Sequence, residues 1–379
     1  PSRLGGGGRG QLAVLETQDL VALVTANIRV LSTQQIAALT TDQVASLVSA
    51  QVVALTTNQL VALTTVNMAA LTTDNVAALT TLQIAALTTA QAATLSTAQT
   101  QALTTSQVLA LVTANIAALA TASVQIWNST QIAALSTRQI AALGTDQALG
   151  LNTDNISALS TLQVAALVTV DVAVLATTNV AVLSTLQIVG LTTAQAQALT
   201  TAQTLALGSE QLIALETADL AAFATASLQS LDSAQIAYLL TSQIAALTTS
   251  QVLGLSTNNI SGLSTIQIAA VRTLGVQALS TVNVAALSTD QIVALSTAQA
   301  ASLGTAQTAA LGTSQVLALE TADFAALATA AVQVLGTVQI ASLSTAQIVA
   351  MTTSQTLGLS TDNISGLSTI QIAAVRTLG

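Results

Sequence analysis

Carboxylates are the main side chains here with types suited to acid, base or metal chemistry, because the chain has neither His nor Cys. They are Asp19, Asp42, Asp74, Asp146, Asp154, Asp171, Glu210, Asp219, Asp232, Asp290, Asp323 and Asp362, with Glu16, Glu216 and Glu320. A general acid and base pair needs two carboxyls held in different environments, and these are scattered. Glu-Thr-x-Asp at 16–19, 216–219 and 320–323 places two acids within a few residues and is the best cation candidate. It offers too few oxygens for the six to eight ligands of calcium, and it matches neither an EF-hand nor a Gly-Gly-x-Gly-x-Asp roll. Ser and Thr abound, yet without His no imidazole can activate one as a nucleophile. Gly5–Gly8 is followed by no Gly-Lys-Ser/Thr, so it is no phosphate loop. The expectation is a non-enzyme with no catalytic residue, no cofactor and no metal site.

The carboxylates occupy regular slots, and the pattern that places them is an octad. Every eighth residue from Leu15 to Val375 is bulky and apolar, Leu except at Trp127, Phe223, Val271, Met351 and Val375. Two residues later stands Thr or Ser, from Thr17 to Thr377, then at the fifth position mostly Gln or Asn, and at the sixth usually Ile or Val. No octad gains or loses a residue. Such a strict period makes each unit contact its neighbours in one repeated way. Most acids fall at the fourth or fifth position and the three Glu-Thr glutamates at the second, which reads as solvated, outward-facing variable slots.

Two secondary structures fit a chain that must turn once per octad. A continuous helix fails, because eight residues at about 100° each leave an apolar stripe drifting by about 80° per octad. A continuous strand fails because the first and sixth positions would fall on opposite faces. In an all-α solenoid, the third-position Thr or Ser is an N-cap and each octad forms one short helix. The sixth-position Ile or Val and the next Leu are then spaced i, i+3 and share a core, and the Ala pair suits a helix interior. Where the second position is also hydroxylated, as in Ser32-Thr-Gln-Gln, a capping box with the fifth-position Gln fits the spacing. The alternative is a β-solenoid with Thr and amide ladders. It suffers from the Ala pair and from lacking a regular Gly, Pro, Asp or Asn at the corner. The all-α solenoid is the preferred reading. One octad cannot fold alone: its Leu and Ile supply about 1.5–3 kcal/mol each on burial, against about 1.5 kcal/mol per ordered residue.

A larger period lies above the octad. Thirteen octads, 104 residues, recur as a block: Ser256–Gly275 returns as Ser360–Gly379 with Asn258 exchanged for Asp362. Leu-Glu-Thr-Ala-Asp at 215–219 likewise returns at 319–323. The expected organisation is a Gly-rich flexible leader at 1–10 and a continuous array over 11–379. No polar capping unit is visible at either end, which favours head-to-tail association.

Composition narrows the partners. Lysine is absent, the six cations are Arg3, Arg9, Arg29, Arg138, Arg272 and Arg376, and the net charge is −9. No cationic stripe exists to neutralise phosphates, so nucleic acid and a polybasic membrane site are not expected. Mean hydropathy is high at +0.73, but polar residues in each octad break any run of about 18 apolar residues. Aromatics are too few for the girdles of a membrane barrel. Asn128-Ser-Thr, Asn155-Ile-Ser, Asn259-Ile-Ser and Asn363-Ile-Ser match the N-glycosylation sequon, as an Asn/Thr-rich repeat does by chance. Trp127 and Phe223 stand in the Leu slot and are expected to fill core; Tyr238 is the third rare bulky residue. The second-position hydroxyl row could order water as ice-binding surfaces do. Interruptions such as Glu16, Val24, Gly144, Asn152, Val168, Ala176, Arg272 and Gly304 break it often.

Octads such as Leu79-Thr-Thr-Leu-Gln-Ile-Ala-Ala and Leu135-Ser-Thr-Arg-Gln-Ile-Ala-Ala resemble the low-charge Thr/Ala repeats of very large bacterial cell-surface and secreted adhesin-like proteins. The resemblance spans nearly the whole chain and transfers no functional residue. It implies a structural, extracellular role: a self-assembling filament, sheath or adhesin stalk whose partner is itself. The alternatives are an adhesive or ice-binding Thr array, and a passive spacer to a terminal domain.

Overall fold

The computed structural model describes residues 14–375, so the expected leader at 1–10 and Arg376 lie outside the described residues. The array is all-α: 45 helices of four to six residues follow one another from Thr17–Val21 to Thr369–Ala374, one per octad. Among the described residues there is no strand, and the β-solenoid alternative falls.

Most helices start at a capping box. Thr80 is extended (φ −71°, ψ 158°), its side chain accepts from the Gln83 N–H, and Gln83 Oε1 accepts from the Thr80 N–H at 2.8 Å. The N-cap is therefore the second position, not the third as the octad suggested. The invariant third-position Thr is the first helical residue, and its side chain meets the eighth position of the octad three further on. Thr161 Cβ, for instance, would be 3.0 Å from a Cβ built on Gly190.

Each helix ends after about one and a half turns. Leu87 N–H donates to Ile84 C=O at 3.3 Å, and Leu87 itself is already extended (φ −56°, ψ 137°). Two consecutive extended residues, the Leu and the N-cap, thus turn the corner. Neither needs left-handed backbone, and no described residue has positive φ. This is why the corner carries no obligatory Gly or Asn.

The chain divides into two compact units, Pro1–Leu191 and Thr192–Gly379. In the first, Thr81–Ala86 packs on Thr57–Ala62 and on Thr105–Ala110; in the second, Thr201–Leu205 packs on Thr225–Ser230 and Thr297–Ala301 on Thr321–Ala326. Each partner lies three octads away, so three octads close one coil of a helical solenoid. The sixth-position residue and the following Leu line the core, as Ile36 with Leu39 and Ile84 with Leu87. The seventh position faces out and the eighth is half-buried. Trp127 and Phe223 are buried in the Leu slot, as expected of core fillers, and Tyr238 is exposed.

Candidate functional site

The feature that recurs through both units is a polar clamp at the seam between coils, and its central residue is the fifth-position Gln. Gln107 shows all of it. Its Oε1 accepts from the Thr104 N–H at 2.7 Å, closing the capping box. Its Nε2 reaches back to the preceding coil and donates to Val76 C=O at 2.9 Å, Ala77 C=O at 3.1 Å and Leu79 C=O at 2.6 Å. Two protons are shared among three carbonyls at the end of a short helix, of which only Val76 C=O also accepts a backbone N–H, that of Leu79. Gln59, Gln91 and Gln299 repeat the geometry 28 to 31 residues back. One side chain thus caps its own helix and another helix in the preceding coil. Gln107 is buried, whereas the sequence pattern assigned the Gln only to its own capping box.

Variants of the clamp follow from side-chain length. Asn is one methylene shorter and donates to the leading residue's carbonyl alone: Asn75 to Leu47 at 2.9 Å, Asn179 to Leu151 at 2.7 Å and Asn283 to Leu255 at 2.7 Å. Ser227 is shorter still and reaches Leu199 C=O at 3.2 Å. At Gly275 the side chain is missing, and the Arg272 guanidinium donates to Leu247 C=O instead. Trp127 modifies the seam from the first position: its indole N–H donates to Thr100 C=O at 3.0 Å, while Gln131 takes Gln101 and Leu103.

The carboxylates split into two classes. Those at the fourth position, such as Asp42, Asp74 and Asp290, are exposed as expected. Asp19, at the fifth position of the first octad, is exposed as expected, whereas the fifth-position Asp171, Asp219 and Asp323 are buried, which corrects their reading as outward-facing slots. The reason is the clamp, because the fifth position is the one that must point at the neighbouring coil. Thr193 and Thr297 hydroxyls donate to Asp219 Oδ1 and Asp323 Oδ1 at 2.8 and 2.7 Å. Burial pushes the Asp219 carboxyl above the ordinary aspartate range; the Thr193 hydrogen bond opposes this and the Glu216 charge adds to it. In the Glu-Thr-x-Asp segments at 216–219 and 320–323, Glu216 and Glu320 lie exposed while the Asp is enclosed. The two acids therefore face different surroundings and do not converge on a cation. Among the described residues no three His, Cys, Asp or Glu side chains group to hold a metal.

The outer surface offers little that converges. A shallow groove between the octads at 127 and 151 is lined by Asn128, Ser129, Asn152, Asp154 and Ser157, with one carboxylate and no second titratable group. Asn155, Asn259 and Asn363, three of the four sequon asparagines, are buried with their Nδ2 bonded to Trp127, Leu231 and Leu335 carbonyls. Of the four, Asn128 alone is exposed. The second-position hydroxyls accept from helix N–H groups wherever Ser or Thr is present, as at Thr56, Thr104 and Ser288. Exposed Val48, Val112, Val168 and Leu240 interrupt the row. No described helix is long and apolar enough to cross a membrane.

The fold and seam define a structural repeat protein built from one capped helix per octad. The chain belongs to the ALTTAQ repeat family, which matches residues 12–49, 49–81, 108–145, 212–249, 273–305, 284–319 and 316–353, more than half of its length. No curated protein is significantly similar to it.

Proposed function

We propose that the protein is a structural array, working as an extracellular filament, sheath or adhesin stalk of bacterial origin that associates with further copies of itself. The observation carrying this reading is the seam: nearly every buried polar side chain is spent joining one coil to the next. An array whose recurring chemistry serves its own cohesion has little left to turn over a substrate, and non-enzymatic function is part of the proposal. The low charge of the outer face, with scattered exposed apolar residues such as Leu82, Leu162 and Leu186, supports lateral or end-to-end association over repulsion between copies.

Cryo-electron microscopy of the purified protein tests the proposal. Ordered filaments or sheets are the expected result. Particles that stay single at all concentrations would remove self-assembly and leave a stalk or spacer. The ice-binding alternative predicts thermal hysteresis in dilute protein, and the interrupted, cap-engaged hydroxyl row argues against it.

A further inference from the structure

The fifth position of the octad is a donor slot. In eight octads it holds an Asn whose Nδ2 donates to the leading carbonyl 28 residues back, at 2.6–2.9 Å. Asp171 occupies the same slot between Val168 and Val172, on the helix Thr169–Val174, which packs on Thr145–Leu149 of the preceding coil. It has no exposed surface, neither carboxyl oxygen makes a well-formed hydrogen bond, and the Thr145 hydroxyl is the side-chain donor that acts on them. The carbonyl it replaces an amide against is that of Leu143. An ionised carboxylate has only acceptors to offer a carbonyl, so a buried Asp– in a donor slot repels what it should bind. A carboxylic acid, by contrast, has the shape of Asn and one O–H to donate.

We propose that Asp171 enters the folded array as the neutral acid, its Oδ–H donating to Leu143 C=O, so that this seam is latched by a proton and loosens when the proton leaves. The proton comes from and returns to solvent; no other group changes. No neighbouring charge offsets its ionisation. Asp146 on Thr145–Leu149, Asp154 on Thr153–Ala158 and Arg138 on Thr137–Ile140 all stand at the exposed fourth position, and between Asp154 and Glu210 the sequence holds no charge other than Asp171. Burial raises the Asp171 carboxyl above its ordinary 3.8, with the Thr145 hydroxyl opposing in part. The sign follows: with the folded value raised, the folded state holds the proton longer than the unfolded chain. The stabilisation is complete below about pH 3.8 and is lost as pH rises through the raised value.

Hydrogen–deuterium exchange of the full chain, wild type against Asp171→Asn, tests this between pH 3.5 and pH 8, the ratio at each pH cancelling the intrinsic exchange rate. Asn already fills the slot in eight octads, so the variant folds. Peptides covering 140–175 should exchange alike in the two proteins at the acid end. Toward neutral pH the wild type should exchange faster, by about ten-fold for each unit by which the folded pKa exceeds the unfolded one. Asp74→Asn, at an exposed fourth position, should show no such pH-dependent ratio. A wild-type to Asp171→Asn ratio that is flat with pH would overturn the latch, as would a carboxyl carbon of Asp171 titrating at its ordinary value by NMR.

Discussion

The coils between Val76 and Leu111 and those between Leu247 and Leu279 are built from the same octad but held differently. In the first stretch Gln83, Gln91, Gln99 and Gln107 clamp successive octads to the preceding coil, each with donors to two or three carbonyls. In the second, Gly275 removes the clamp, Arg272 substitutes from three residues earlier, and Val271 replaces the core Leu. A void of about 10 Å³ lined by Val252, Val271, Val276 and neighbouring Leu and Ile side chains lies there. Gly262 lets the backbones approach so closely that a Cβ would sit 2.4 Å from Ser233 C=O. The comparison teaches that the octad prescribes a set of needs, donors at the seam and volume in the core, and that different residues can meet them.

The comparison breaks most clearly where one residue meets several needs. Gln107→Ala leaves the Leu79 carbonyl and the Thr104 N–H without partners together, and should cost roughly 2–4 kcal/mol, read as a loss of exchange protection across 76–111. Gly262→Ala forces backbone apart against Ser233 and should cost about 1–3 kcal/mol, seen as earlier urea unfolding of the second unit; an unchanged midpoint would show that the coil spacing is soft. Arg272→Ala uncaps one carbonyl, Leu247, and should cost about 1–2 kcal/mol. Exposed Arg138→Ala, measured alongside, should be near neutral. The smallest change goes the other way. Val271→Leu restores the commonest core residue beside the void and should stabilise by roughly 0.5–1 kcal/mol, about one buried methylene, detectable as a raised midpoint.

Much of this was legible in the sequence. The i, i+3 spacing of Ile84 and Leu87, the Ala pair and the Ser32-Thr-Gln-Gln box pointed to one short capped helix per octad, and Trp127 and Phe223 read as core from their slot. The octad points to a cap one residue late because a third position that is always Thr or Ser looks more like a cap than a variable second one. Thr33 is constrained instead by its place at the first helical position, while the second tolerates Gly, Val and Leu where the Gln oxygen still holds the N–H, as at Gly144, Val48 and Leu240, and Ala even where no Gln follows, as at Ala120. The seam was hidden for a different reason. The octad period fixes what each unit contains but not how many octads make a coil, so nothing in it says that Gln59 meets Ile28 and Leu31. For the same reason Asp171 and Asp74, one position apart in the pattern, could not be told apart as enclosed and solvated.

The reach of the clamp, from one octad to those three and four before it, also bears on heredity. Unequal recombination that removes or adds one whole octad leaves each Gln facing carbonyls of the same kind, supplied by a different unit. The gene can therefore lengthen or shorten in steps of twenty-four bases while every coil keeps its closure, and the extent of the protein becomes a trait on which selection acts independently of its fold.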